Sequence, residues 1–358
     1  MRKKNFFAGP SVLPLEVLEK IRDQIVDYEG EGLSMIEASH RGGMFEKMYD
    51  EALSTFRRLL DIPDDYDVYF LGGGATLQFT MIPQNFLIKG KKASYVKTGS
   101  WSNKAEKDAE KIGDVEIAWD GKDINYTRIP KPEELKVSPD SSYLYLCANE
   151  TIGGIEWRNF PSVSIPLIAD MSSDILSRPV DVSRFAMIYG GVQKNMGPAG
   201  ATFIIMKKDM LEKRNENLTA YMDYALHSKE KGLYNTPPVF SIWAVKLVLD
   251  WVEKMGGVKK MDERAEAKSS LIYSIIDSSD FFTSPVEKES RSRMNIVFRL
   301  PSEELEARFI EESKKEGMLG LKGHRSVGGL RASLYNACPM EDVEALAAFM
   351  KEFERKNG

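Results

Sequence analysis

The stretch 185–206, reading FAMIYGGVQKNMGPAGATFIIM, constrains this chain most. Two apolar runs, 185–189 and 201–206, have the length and composition of buried strands. Glycine, asparagine and proline separate them, so the pattern predicts two strands joined at a tight connection. One basic residue, Lys194, sits in the middle of that connection. Lysine is rarely buried, and a turn lysine is ordinarily solvated. Turned into a pocket instead, it loses its proton more easily and its amine becomes a nucleophile.

What favours the pocket is a partner upstream. The apolar run 164–169 ends in Asp170, followed by Met171-Ser172-Ser173-Asp174. An aspartate just past a buried strand, upstream of a lysine in a glycine-rich turn, is what a pyridoxal phosphate site needs. The carboxylate keeps the pyridinium nitrogen protonated, and the lysine carries the cofactor as a Schiff base.

The rest of the chain alternates strand and helix patterns. Val17, Leu18, Ile21 and Ile25 are spaced for one helix face within 11–29, with Pro14 near the start. A second amphipathic helix is predicted over 45–60. The strand 67–71 runs into Gly72-Gly73-Gly74-Ala75-Thr76 and then a helix over 77–87, perturbed at Pro83. Strand, glycines and helix start together form an anion cradle. It is neither a P-loop nor the dinucleotide fingerprint, since it lacks the Gly-Lys-Ser/Thr and the G-x-G-x-x-G spacing.

Further strands are predicted at 93–98, 115–119 and 142–147. Polar groups gather at their ends: Trp101 after the first, and Asn149-Glu150-Thr151 after the last. Open parallel sheets bind ligands at the carboxyl ends of their strands. Thr76, Trp101, Thr151 and Asp170 all fit that rule. Residues 210–225 read as helix, 233–238 as a loop and 241–255 as a long helix, which Gly256-Gly257 ends. Beyond lie helices at 258–278, 302–316 and 340–356 and strands at 295–299 and 328–335. The expected fold is α/β. A large domain with a mainly parallel sheet spans 1–256, a smaller α+β domain spans 257–358, and the N-terminal segment is free to pack on the latter.

Charge narrows the partners. A net charge of −5 with acids and bases interspersed leaves no footprint for nucleic acid or an anionic membrane. No apolar run has the length of a membrane span. The first residues make a poor signal peptide, and Cys147 and Cys338 form neither a disulfide framework nor a zinc pattern, so a reduced, cytoplasmic setting is expected. Three histidines make a His-rich metal site unexpected. Two of them sit in His40-Arg41 and His324-Arg325, both in glycine-flanked loops. Arg331 alternates with apolar neighbours, where an unpaired charge is costly. A guanidinium bonds two oxygens at once, which suits carboxylate and phosphate. If these groups converge on Lys194, the substrate carries two anionic ends.

Taken together, these motifs resemble the phosphoserine aminotransferases, class V aminotransferases of the fold-type I pyridoxal phosphate enzymes. The resemblance runs from Phe7-Ala8-Gly9-Pro10 to Gly329-Leu330-Arg331-Ala332-Ser333-Leu334-Tyr335-Asn336. Its most specific pieces are Ser39-His40-Arg41, Thr98-Gly99-Ser100-Trp101-Ser102, Asn149-Glu150-Thr151, Gln193-Lys194-Asn195, Tyr234-Asn235-Thr236-Pro237-Pro238 and Gly323-His324-Arg325. It implies that Lys194 is the Schiff-base lysine, Asp170 pairs the pyridinium nitrogen, Trp101 stacks on the ring and Thr151 bonds its phenolic oxygen. The amides of Ala75 and Thr76, with Gln193, would hold the cofactor phosphate. Asn235 and Thr236 would complete that site from the neighbouring subunit of a homodimer. Arg331 would take the substrate α-carboxylate. His40, Arg41, His324 and Arg325 would take its phosphate, the second pair again from the partner. Many members carry an arginine where this chain has Thr76.

The implied reaction is reversible transamination of 3-phosphohydroxypyruvate with L-glutamate in serine biosynthesis, and the resemblance also allows 4-phosphohydroxythreonine. An alanine–glyoxylate type aminotransferase is the nearest rival, but it needs no double His-Arg clamp. A cysteine desulfurase needs a poised cysteine, which neither Cys147 nor Cys338 resembles. A non-catalytic binding protein of the same fold would need neither Asp170 nor Lys194.

Overall fold

The computed structural model describes residues 2–358. The chain opens with the short strand β1 (Lys4–Asn5) and the helices α1 (Leu15–Gln24) and α2 (Gly43–Leu59). Strand and helix then alternate: β2 (Tyr66–Leu71), α3 (Gly74–Phe86), β3 (Ala93–Lys97), α4 (Ser100–Ala109), β4 (Val115–Asp120) and β5 (Leu144–Cys147). A small hairpin of β6 (Asn149–Glu150) and β7 (Ile155–Glu156) precedes β8 (Leu167–Asp170), β9 (Met187–Gly191) and β10 (Thr202–Lys207).

Seven of these strands form one sheet in the order β2-β10-β9-β8-β5-β3-β4. All run parallel except β10, which is antiparallel to both neighbours. Alternation along the strands explains why both faces are covered. Tyr66, Val68 and Phe70 enter one core with Phe203 and Ile205, while Tyr69 and Leu71 enter another with Ile204 and Met206. A sheet apolar on both faces must bury both. The first core is closed by α1, α2 and α6 (Val239–Lys254), through Ile21, Phe56 and Trp243. The second is closed by α3, α4 and α5 (Tyr224–Lys229), through Phe79, Ala105 and Tyr224.

The remaining elements are α7 (Gly257–Asp277), β11 (Asn295–Phe298), α8 (Glu303–Lys315), β12 (Met318–Leu319), β13 (Leu330–Ser333) and α9 (Met340–Asn357). They share a separate core containing Phe298, Phe309 and Phe353. Phe6 and Val12 join it, and β1 pairs parallel with β12. Gly256 (φ +103°) and Gly257 (φ +73°) make the corner from α6 to α7. Left-handed backbone at two successive residues favours glycine there.

Several local expectations shift. The connection between β9 and β10 is a run of successive turns over 192–201, longer than a tight hairpin. Helix α1 is shorter than 11–29, because Pro14 starts it and the chain turns away after Ile25. Helix α3 begins at Gly74 and continues through Pro83, which leaves the Phe79 carbonyl without its helical donor. The helix expected at 210–225 is absent. Two 3-10 turns, Lys208–Lys213 and Ala220–Met222, replace it ahead of α5. The cause is Asn215, whose amide and side chain bond the carbonyls of Asn85, Gln84 and Leu87 at the end of α3. Those bonds across to α3 compete with a local helix.

Candidate active site

Five strands deliver polar residues to one end of the sheet. Beyond β2 comes the start of α3, beyond β3 the start of α4 with Trp101, and beyond β5 the hairpin with Thr151. Asp170 ends β8, and Gln193-Lys194 follows β9. A cavity of about 130 Å³ forms where they meet, lined among others by Ala75, Thr76, Trp101, Asp170, Gln193 and Lys194.

Lys194 is 9% exposed and its Nζ donates to Thr151 Oγ1 at 2.6 Å. Burial lowers its pKa below the ordinary lysine value, with the Asp170 charge pulling the other way. The ammonium nitrogen lies 5.4 Å from the centre of the Trp101 ring. Its backbone is fixed from the N-terminal segment, where Ser11 Oγ donates to the Lys194 carbonyl. Gly9 packs so closely that a Cβ there would lie 3.2 Å from Lys194 Cγ.

Asp170 is 5% exposed. Its Oδ1 accepts from the Ser172 amide at 2.9 Å and the Ser172 hydroxyl at 2.6 Å. Ser172 Oγ accepts in turn from the Gly191 amide at 3.0 Å, so β9 helps to orient the carboxylate. These bonds engage one carboxylate oxygen and leave the other for the cavity. Gly73 precedes α3 with φ +90° and no side chain caps the helix. Uncapped first-turn amides beside a cavity favour an anion.

Arg331, on β13, donates from Nη1 to the Thr151 carbonyl at 3.1 Å, while its Nε is buried without a partner. The described residues offer it no ion pair, and burial lowers its pKa. His324 Nδ1 lies 2.7 Å from Ser326 Oγ. Its pKa is lowered by burial and then by the charges of Arg331, Arg325 and Lys104. Cations that oppose one another with no carboxylate between them make a place for an anion.

The other expected residues lie outside the Lys194 cavity in one chain. Asn235 and Thr236 are exposed on the loop before α6, and Arg41 is exposed before α2. His40 keeps a buried Nε2 without a partner. Cys147 lines the cavity, but burial pushes its thiol well above the usual range. Three contributors were not singled out from sequence. Ser172 orients Asp170, Ser11 anchors Lys194, and Glu150 binds the start of α4. Ser172 and Glu150 lie inside motifs visible in the sequence, whereas Ser11 acts across 183 positions and leaves no local signal.

The cavity fits pyridoxal phosphate on chemical grounds. It offers an amine of lowered pKa, a carboxylate oxygen free of the Ser172 bonds, an aromatic face and an uncapped helix start. The family description "Aminotransferase class-V" matches residues 4–346, and the chain belongs to that family of pyridoxal phosphate-dependent transaminases. Within it, the chain is similar to the phosphoserine aminotransferase of Geobacillus kaustophilus (strain HTA426), at 49% identity over 99% of both chains. It also superposes on the phosphoserine aminotransferase of Bacillus circulans subsp. alkalophilus with a TM-score of 0.98, at 48% identity over 100% of this chain and 99% of that one. The pyridoxal phosphate-bound phosphoserine aminotransferase of Trichomonas vaginalis gives a TM-score of 0.94 at 40% identity, covering 98% of this chain and 100% of that one.

Proposed function

We propose that this chain catalyses reversible transamination between L-glutamate and 3-phosphohydroxypyruvate, giving 2-oxoglutarate and O-phospho-L-serine, a step of serine biosynthesis. The observation that carries it is the buried Lys194 amine, set against Trp101 and Asp170 in one cavity. Full-length similarity to phosphoserine aminotransferases chooses this substrate pair over alanine and glyoxylate. Bound pyridoxal phosphate would supply an electron sink for the pair released at the substrate's Cα. Lys194 holds the cofactor and then moves the Cα proton, for which a lowered pKa is suited. Asp170 keeps a proton at the ring nitrogen, and the α3 amides of Ala75 and Thr76, with Gln193, take the phosphate. Thr76 contributes no charge where an arginine is frequent, so the helix start carries more of that contact.

Arg331 takes the substrate α-carboxylate, and its unpaired guanidinium is the support. Replacing Arg331 with glutamine should raise KM for glutamate and phosphoserine roughly 10- to 100-fold, the scale of one charged hydrogen-bonded contact. Steady-state kinetics with both amino acids checks this, and an unchanged KM removes the assignment.

His40, Arg41, His324 and Arg325 bind the substrate phosphate. Asn235, Thr236 and the pair His324-Arg325 act across the interface of a homodimer, a reading supported by their positions outside the cavity of a single chain. Among the described residues no helix is long and apolar enough to cross a membrane, and the two free thiols of Cys147 and Cys338 fit the reduced interior of a cytoplasmic enzyme. We place the domain division after Gly256, with the segment containing Phe6 added to the C-terminal unit.

Visible absorbance of the purified protein tests the whole reading. A band of lysine-linked cofactor should bleach with glutamate and return with 3-phosphohydroxypyruvate. A band bleached only by alanine would transfer the chain to the alanine–glyoxylate type. No band after adding pyridoxal phosphate would leave a binding protein of the same fold.

A further inference from the structure

Residues 149–151 hold three parts of the site at once. The Asn149 side-chain amide donates to Ser173 Oγ at 2.7 Å and to Asn295 Oδ1 at 2.8 Å, tying the segment after Asp170 to β11. Thr151 meets Lys194 through its hydroxyl and Arg331 through its carbonyl. Between them, Glu150 is fully buried and faces the first turn of α4. Its Oε2 accepts from the Trp101 amide at 2.9 Å. Its Oε1 accepts from the Ser102 amide at 2.9 Å and the Ser102 hydroxyl at 2.7 Å.

The direction of these bonds can be read from chemistry. Backbone amides only donate. Ser102 Oγ already accepts from the amides of Thr98 and Gly99, at 2.9 and 3.0 Å, and its own proton goes to the nearer of two acceptors, the carboxylate at 2.7 Å rather than the Gly99 carbonyl at 3.1 Å. Glu150 therefore accepts at every contact, the pattern of an ionised carboxylate. Burial raises its pKa, with the Asp170 charge adding to the rise, and the three bonds to the Ser102 and Trp101 groups offset only part of it.

Why a remote glutamate should do this follows from the helix start. The residue before α4 is Gly99, which has no side chain with which to cap the first-turn amides. A carboxylate from β6 takes that role and also meets the positive end of the helix. Space is cut to fit: a Cβ on Gly99 would lie 2.6 Å from Glu150 Cδ and 2.8 Å from Oε2. Trp101 is the second residue of α4, and its indole Nε1 has no partner. The ring is thus not held by its own polar atom, and its position depends on the backbone that Glu150 grips.

We propose that Glu150 is a positioning residue that caps α4 from a neighbouring strand and so fixes the Trp101 ring over the cofactor cavity. The proposal rests on the cofactor reading above. The test is a double-mutant cycle on the dissociation constant of pyridoxal phosphate from the apoenzyme. Glu150→Ala should weaken binding roughly five- to tenfold, the scale of one lost helix cap. Trp101→Ala should weaken it at least as much, and the double variant should be no weaker than Trp101→Ala alone, because Glu150 acts through the ring. Glu150→Gln, which keeps one acceptor oxygen, should fall between Glu150→Ala and the parent.

Additive effects would overturn the proposal, as would a lowered Tm in Glu150→Ala with an unchanged dissociation constant. If Glu150→Ala does not fold, Glu150→Gln carries the test: it should weaken binding about two- to threefold, again without additivity to Trp101→Ala. An unchanged constant there would overturn it too. A parent protein that fails to bind the cofactor sinks the functional reading instead. A parent that binds, with only Trp101→Ala impaired, sinks this proposal alone.

Discussion

Lys194→Ala is expected to lose turnover by about 10⁴-fold or more while the chain still folds. The amine has two jobs, holding the cofactor and moving the Cα proton, and positioned proton transfer alone is worth about 10² to 10⁴. Among the described residues no other amine is positioned to replace it. Lys104 sits 4.4 Å from the Trp101 ring centre but is exposed and lies outside the cavity lining. Borohydride treatment should leave cofactor attached to the parent protein and none attached to the variant. Cofactor retained in the variant would refute the assignment.

Stability should move the other way, which makes the loss diagnostic. A lysine whose folded-state pKa is depressed binds fewer protons folded than unfolded. Its burial penalty is full below the folded-state value and fades as pH rises toward 10.5. The apo variant should therefore show a Tm at neutral pH no lower than the parent. Any advantage should shrink toward pH 10. A variant that unfolds would mean that Lys194 is mainly structural.

The legible part of this site is the part carried by strand ends. Apolar runs mark β5, β8 and β9, and the polar residue after each run lands in the cavity because parallel strands end together. Asp170 and Lys194 could be paired on that ground alone. Trp101 and Thr151 followed because each closely follows the end of a strand, β3 or β5. The glycine run before α3 was readable as an anion cradle for the same reason: its chemistry lies in the backbone.

What escaped was whatever depends on a distant partner. Glu150 looked like a polar residue after a strand, and only its contact with α4 gives it a role. Ser11 meets Lys194 from the far N-terminal segment. The segment 210–225 carried a helical pattern, yet the carbonyls at the end of α3 claim Asn215 and break it. The antiparallel β10 was visible as a strand, but its place between β2 and β9 is a property of the sheet as a whole. Arg331 was suspected from its apolar neighbours, and the structure adds that no carboxylate among the described residues satisfies it.

Asp170→Ala should lower kcat by about 10² to 10³, the scale of one preorganised charge removed from a water-excluded site. The aspartate is held in place before any ligand arrives, since Ser172 binds Oδ1 through two groups and β9 binds Ser172. The free oxygen can then keep a proton on the cofactor's ring nitrogen without reorganising. Asp170→Asn separates charge from shape. An asparagine oxygen can still accept from Ser172, but it cannot hold that proton as a counter-charge. Its kcat should fall nearly as far as that of the alanine variant, and near-parent turnover would remove Asp170 from the mechanism. A second consequence is electrostatic and can be read without turnover. The Asp170 charge raises the Lys194 pKa against the effect of burial. Taking that charge away should shift the midpoint for covalent capture of pyridoxal phosphate by Lys194 to lower pH in the apoprotein. The sign is fixed: a cation stripped of its nearby anion gives up its proton more readily. A midpoint that stayed or rose would show that Asp170 does not act on Lys194 through charge, even if turnover were lost.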